Sequence, residues 1–167
     1  GKNGNAQQWT FEQLAEASGQ LAHYMTVLGL RAGDCIAGLL PRTPELLITI
    51  LATWRIGAVY QPLFTAFESK AIEHRINTAQ TKLIITNQEQ HSKLNDLSIP
   101  HILTVHPTPD CAEEDADFWT EIKEYPSDFE PVQGRFSDIF LMMFTSGTTG
   151  LAKSVPVLLK ALLAFKG

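Results

Sequence analysis

Cysteine is almost missing from these 167 residues: only Cys35 and Cys111 occur. Two cysteines do not make a disulfide framework, which leaves a reducing, cytoplasmic setting as the expectation. Hydrophobic residues make up 44% of the chain, yet no apolar run approaches the roughly 20 residues that a membrane span requires. The first residues lack the charged-then-apolar pattern of a leader peptide. Positive charge is in deficit, with 13 Lys and Arg against 18 Asp and Glu for a formal net charge of −5. That balance argues against nucleic acid or an anionic membrane as the main partner, so any basic function has to be local. Internal repeats, low-complexity tracts and a Gly-x-Ser-x-Gly nucleophile elbow are all absent. The chain opens at Gly1 without methionine, and its apolar segment from Val155 to Phe165 runs out at Gly167 without a cap. We therefore expect a piece of a longer protein.

The residues that are present alternate between two periodicities. Thr10-Phe11-Glu12-Gln13 has capping-box spacing, and Leu14, Leu21, Met25 and Leu28 recur on one helical face up to a stop at Gly29. Cys35 to Leu40 reads as a buried strand. Thr43-Pro44 then starts a second helix, with proline at its first position, running to Gly57. That helix is apolar over most of its surface and is expected to pack deep against a sheet. Ala58 to Leu63 predicts a strand ending at Pro62, with Tyr60, Phe64 and Phe67 around it as packing residues. Glu68 to Gln80 predicts a helix with Arg75 inward and His74 outward, and Lys82 to Thr86 predicts a third strand. A short helix at 90–97 leads to a fourth strand at Ile99–Val105. This alternation predicts an α/β fold with a mostly parallel sheet flanked by helices.

From His106 to Ser137 the pattern gives way to an acidic, proline-containing segment, read as a solvated linker carrying a short helix through Phe118, Trp119, Ile122 and Tyr125. Its Asp110, Glu113, Glu114, Asp115 and Asp117 lack the order of a calcium loop. His101, His106 and Cys111 have zinc-capable side chains, but at a spacing of five and five they do not match a structural zinc pair. His23, His74 and His91 stand alone on helices and read as surface or boundary residues.

The chemistry concentrates at one loop. An apolar run, Ile139 to Phe144, suits a buried strand, and it delivers Thr145-Ser146-Gly147-Thr148-Thr149-Gly150 followed by Leu151-Ala152-Lys153. Glycines let a backbone turn until its N–H groups converge on phosphate oxygens, hydroxyls add adjustable donors, and Lys153 adds a full charge. The competing motif is the Walker-type loop, which Gly147 to Ser154 misses at Ala152. A Walker lysine opens a helix, whereas Ser154-Val155-Pro156-Val157 favours an extended chain. A third reading keeps the fold without turnover, as a non-catalytic interaction domain.

The loop resembles, position by position, the signature of the AMP-forming adenylating enzymes: acyl-CoA synthetases, luciferases and peptide-synthetase adenylation domains. Trp9-Thr10-Phe11-Glu12-Gln13-Leu14 is similar to an early segment of that family, and Trp54-Arg55-Ile56-Gly57-Ala58-Val59-Tyr60-Gln61-Pro62-Leu63 to its Gly-Ala-x-Tyr-x-Pro segment. The resemblance covers nearly the whole chain, and Gln61 to Phe67 looks most like the acetyl-/short-chain acyl-CoA synthetase branch. It departs at Ser154, where glycine is common, and at Pro156-Val157, where a histidine-bearing stretch often follows the lysine. The resemblance implies that residues 1–167 are a partial AMP-binding N-terminal domain, with the rest of the large domain and a C-terminal domain beyond Gly167. It implies ATP, Mg2+ and coenzyme A as partners of a small carboxylic acid, with Thr145, Ser146, Gly147, Thr148, Thr149, Gly150 and Lys153 on the ATP phosphates. No catalytic residue is implied within these 167 residues, and the piece alone is expected to be inactive.

Overall fold

A computed structural model describes residues 8–107, 116–133, 138–145 and 152–158. Its elements in chain order are α1 (Phe11–Val27), β1 (Cys35–Leu39), α2 (Pro44–Arg55), β2 (Val59–Leu63), α3 (Ser69–Ala79), β3 (Leu83–Asn87) and α4 (Gln88–His91). A 3-10 turn (Ser92–Leu94) follows, then β4 (His101–Val105), β5 (Ala116–Asp117), α5 (Phe118–Ile122), β6 (Ile139–Thr145) and β7 (Lys153–Leu158). The strands form one seven-stranded sheet in the order β5-β4-β3-β1-β2-β6-β7. Every neighbouring pair is parallel except β6 and β7, which form an antiparallel hairpin. This is the expected α/β architecture.

Strand alternation divides the core into two layers. Ile36, Leu83, Ile85 and Leu103 face α1, α2 and α5, where Leu21, Met25, Ile48 and Phe118 are fully buried. Ala37, Leu39 and Ile84 face the other way, onto Ile72 and Ile76 of α3 and Leu94. Burying one such large aliphatic side chain contributes about 1.5–3 kcal/mol. The helix ends follow their local chemistry. Thr10 and Gln13 close a reciprocal capping box at 3.0 and 2.9 Å, and Gly29 takes a positive φ of 93° just past the end of α1.

Several expectations need correction. Thr43 precedes Pro44 as foreseen but makes no side-chain cap bond to α2. The deep face of α2 is narrow, comprising Ile48, Thr49, Ala52 and Thr53, and Leu47 and Trp54 lie toward solvent. The threonines are admissible there because each hydroxyl donates to a carbonyl four residues back, at 2.8 and 2.7 Å. β2 continues through Pro62 to Leu63. The missing N–H is tolerated because the register of β2 with β6 has one paired position, Tyr60 with Leu141. β6 is half-buried from Phe140 to Phe144 and exposed at both ends, rather than enclosed.

The stretch from Ala116 to Gln133 is packed on the domain and is not a solvated linker. Gln20 donates to the carbonyl of Tyr125 at 3.1 Å, His23 bonds the carbonyl of Asp128, and the Val132 N–H donates to Arg55 at 2.9 Å. His23 is thereby a half-buried boundary residue, as expected, and also a tether. The short helix packs onto the domain, with Phe118 and Ile122 fully buried. Asp110, Cys111, Glu113, Glu114 and Asp115 lie outside the described residues.

Gly19 makes this packing possible. A Cβ there would run into the carbonyl oxygen of Ser127 and come within 3.2 Å of Arg55 Nη1. In an unencumbered helix Gly→Ala adds about 1 kcal/mol of stability. Here Gly19→Ala is expected to reverse that sign and cost about 1–3 kcal/mol through overpacking, read as a lower urea midpoint at unchanged slope. A midpoint that rises would show that residues 125–129 do not press on α1.

Candidate phosphate-binding site

Parallel α/β sheets bind ligands beyond the carboxyl ends of their strands. β6 runs parallel to β2, so Thr145 stands at that edge. The chain leaves at Thr145 and re-enters the sheet at Lys153, its partner across the hairpin. Both side chains are exposed, and the Thr145 hydroxyl donates to the Lys153 carbonyl at 3.5 Å. The hairpin therefore brings together two of the seven predicted phosphate ligands, a hydroxyl and a cation. Ser146, Gly147, Thr148, Thr149 and Gly150 lie outside the described residues. Lys153 opens a strand, not a helix, which is the opposite of a Walker loop. Pro156 sits within that strand opposite Met142, where β7 is the outermost strand among the described residues.

Two neighbouring residues of α3 reach this hairpin. His74 Nε2 is 2.6 Å from the carbonyl oxygen of Ala152, and its ring meets Phe144 edge-on at 6.1 Å. The expectation that His74 points to solvent is thus overturned. Arg75 is turned inward as foreseen, its guanidinium 4.2 Å from the Phe67 ring centre and 5.5 Å from that of Phe144. Burial lowers its pKa from the ordinary guanidinium value, and the ring faces supply the attraction that a partly desolvated cation needs. From α2, Trp54 donates its indole N–H to the Phe140 carbonyl at 2.9 Å. Local periodicity could not reveal these contacts, because they depend on where β6 and β7 join the sheet.

The remaining candidate side chains are engaged elsewhere. Tyr60 is buried with its hydroxyl over Gly38, Phe67 lies under Arg75, and Phe64 is 57% exposed with its ring against Phe67. Cys35 is a buried free thiol bonded to Gln61 at 3.6 Å, and burial pushes its pKa up to about 11, so it stays protonated and unreactive near neutrality. Among the described residues, no three His, Cys, Asp or Glu side chains stand together as a metal site. His106 is committed to Asp117, Nδ1 to Oδ1 at 2.9 Å, with both side chains over 90% buried. No helix among the described residues is long and apolar enough to cross a membrane.

The mostly parallel sheet flanked by helices places the chain among the α/β proteins, with Thr145 and Lys153 at the carboxyl edge where that architecture commonly binds its ligands. The sequence matches the family model of the AMP-binding enzymes over residues 2–166, and the chain belongs to that family. Acetyl-coenzyme A synthetase 1 of Debaryomyces hansenii is 32% identical over 165 residues, spanning 87% of this chain and 25% of that protein. The acetyl-coenzyme A synthetase 1 of Saccharomyces cerevisiae is 31% identical, again over 87% of this chain and 23% of its own length. The crystal structure of Brucella canis acyl-CoA synthetase superposes with a TM-score of 0.88 at 47% identity, over 95% of this chain and 29% of that one. The chain thus spans about a quarter of the length of the curated relatives it matches.

Asp117 carries a testable electrostatic load. Burial alone would raise its pKa, but hydrogen bonds from the Thr120 N–H, from His106 and from the Thr120 hydroxyl together hold the carboxyl below its ordinary 3.8. A carboxyl depressed by folding stabilises the fold fully above its unfolded value and loses that contribution as pH falls through the folded one. Asp117→Ala also removes the N-cap of α5, whose bonds to Thr120 are 2.9 and 2.8 Å. We expect it to lower stability by about 1–2 kcal/mol near neutrality. The deficit should shrink below roughly pH 3.8, where the wild-type carboxylate itself protonates. Urea titrations of both proteins across that range check it, and a deficit independent of pH would remove the charge from the account.

Proposed function

We propose that the whole protein is an AMP-forming acyl-CoA synthetase and that this chain supplies its grip on the ATP phosphates. In the first half-reaction a carboxylate oxygen attacks the α-phosphorus of ATP, and the bond to the pyrophosphate bridging oxygen breaks. The electron pair leaves with pyrophosphate, and an acyl-adenylate forms. In the second, the thiol of coenzyme A loses its proton to solvent, its sulfur attacks the acyl carbonyl, the thioester forms, and AMP departs with the electron pair of the broken acyl–oxygen bond. The task at the loop is to hold the β- and γ-phosphates while negative charge builds on the departing pyrophosphate. Lys153 supplies a compact positive charge, Thr145 supplies a hydroxyl donor by exchanging its long 3.5 Å contact with the Lys153 carbonyl for one to phosphate, and we assign Ser146, Gly147, Thr148, Thr149 and Gly150 to the same phosphates. Each hydrogen bond to a charged phosphate is worth about 1.5–3 kcal/mol.

What supports this reading most is the pairing of Thr145 with Lys153 across a hairpin at the carboxyl edge, followed by strand where a Walker loop would have helix. Magnesium commonly accompanies a triphosphate, but no acidic cluster among the described residues fits it, and no step here is routed through it. For the acid we favour acetate or another short-chain carboxylate. Leu63 and Phe64 stand where the amino-acid-activating branch carries an acidic residue, and the relatives cited are acetyl-coenzyme A synthetases. A cytoplasmic setting completes the proposal, supported by the free thiol of Cys35.

The decisive assay is carboxylate-dependent exchange of labelled pyrophosphate into ATP by the whole protein, run over acids of increasing chain length. Exchange with short acids is expected. None with any acid, together with no ATP binding by calorimetry, would leave a non-catalytic member of the family. Lys153→Ala should slow exchange by about a hundredfold or more, the scale for losing one stabiliser of developing charge. Unchanged kinetics would take Lys153 out of the phosphate site.

A further inference from the structure

The last backbone pair of the β6–β7 ladder is Thr145 with Lys153, so Ala152 lies one residue beyond the strand. Its carbonyl is nevertheless held, by a side chain from another layer: His74 Nε2 at 2.6 Å. We propose that His74 is a positioning residue for Lys153, acting on ATP only through that lysine. The inference rests on the phosphate-binding reading given above.

The reasoning is one of peptide geometry. A carbonyl oxygen only accepts, so His74 must carry its proton on Nε2, as the corresponding neutral tautomer or as imidazolium. The carbonyl carbon and oxygen of Ala152 are coplanar with the nitrogen and Cα of Lys153, because the peptide bond between them is rigid. A hydrogen bond to that oxygen therefore orients the atom from which the lysine side chain departs. The next peptide belongs to the β6–β7 ladder, where Lys153 stands opposite Thr145. Lys153 thus stands between two anchored planes, one fixed by its hairpin partner and one by His74. The imidazole is itself held, with its ring edge-on to Phe144 at 6.1 Å, and the guanidinium of the adjoining Arg75 lies 5.5 Å from that same Phe144 ring. A four-carbon side chain has many rotamers, and a fixed root reduces the number that miss the phosphate.

Pyrophosphate exchange by the whole protein, with KM measured separately for ATP and for the carboxylate, tests the assignment. His74→Leu keeps bulk but removes the donor, and it should raise KM for ATP about three- to tenfold, the effect of one ordinary hydrogen bond. KM for the acid should stay within about twofold of wild type. His74→Gln, which restores an N–H donor, should recover most of the loss, and in a Lys153→Ala background His74→Leu should add little, because the two act in series. Equal rises in both KM values, no rescue by glutamine, or a full additive loss in the double variant would each overturn the proposal. If Lys153→Ala itself leaves KM for ATP and the exchange rate unchanged, the phosphate reading falls first. A damaging Lys153→Ala with a silent His74→Leu would remove only the role of His74.

Discussion

The β6–β7 hairpin hangs on the parallel sheet by very little backbone, and the rest of the site follows from that. Four parallel strands, β1 to β4, interlock over four or five registered positions per pair, whereas β2 and β6 share one, Tyr60 with Leu141. The hairpin cannot take its orientation from such a ladder. It takes it from ring N–H groups on the helices of both layers, Trp54 onto Phe140 and His74 onto Ala152. A bulge serves the same end. Ile139 pairs with Leu158 and Leu141 with Val157, which makes Phe140 the extra residue. In a regular strand Phe140 and Phe144 would share a face. With Phe140 itself in the bulge, it meets Trp54 of α2, and Phe144 meets His74 and Arg75 of α3.

Much of this architecture was legible from residue order. The capping box at Thr10, the proline start at Pro44, the glycine stop at Gly29 and the apolar strands at Cys35 and Leu83 are local signals, decided within a few residues. The extended chain after Lys153 was legible for the same reason, since Pro156 and its flanking valines constrain their own backbone. The choice between a Walker helix and a strand therefore needed no tertiary information.

What was not legible depends on partners distant in sequence. His74 sits on a helical face whose periodicity alone marks it as outward, and what reverses that is a carbonyl 78 residues later. Asp117 belongs to an acidic stretch whose composition reads as solvated, yet it is 6% exposed because His106 and Thr120 satisfy its oxygens. Composition measures the average cost of burying a charge. It does not reveal which single carboxylate has found donors enough to offset that cost.

The same asymmetry bears on how the site can work. A rigid parallel sheet offers a fixed edge, but on the proposed reading the loop must meet an anion whose charge shifts during reaction, and preorganised donors are what stabilise such a shift. Were Lys153 on a long, fully paired ladder, its backbone would be fixed by the sheet alone. Here the ladder ends at Lys153 among the described residues, and the preceding carbonyl is held by a side chain. Side-chain anchors differ from ladder bonds in one respect: each can be altered singly without disturbing the register of the strand. Arg75 belongs to the same logic, since its cation reaches the hairpin by way of the Phe67 and Phe144 rings and leaves the hairpin's backbone donors and acceptors to β6, β7, Trp54 and His74. The geometry of the lysine is thus separable from the stability of the sheet that carries it.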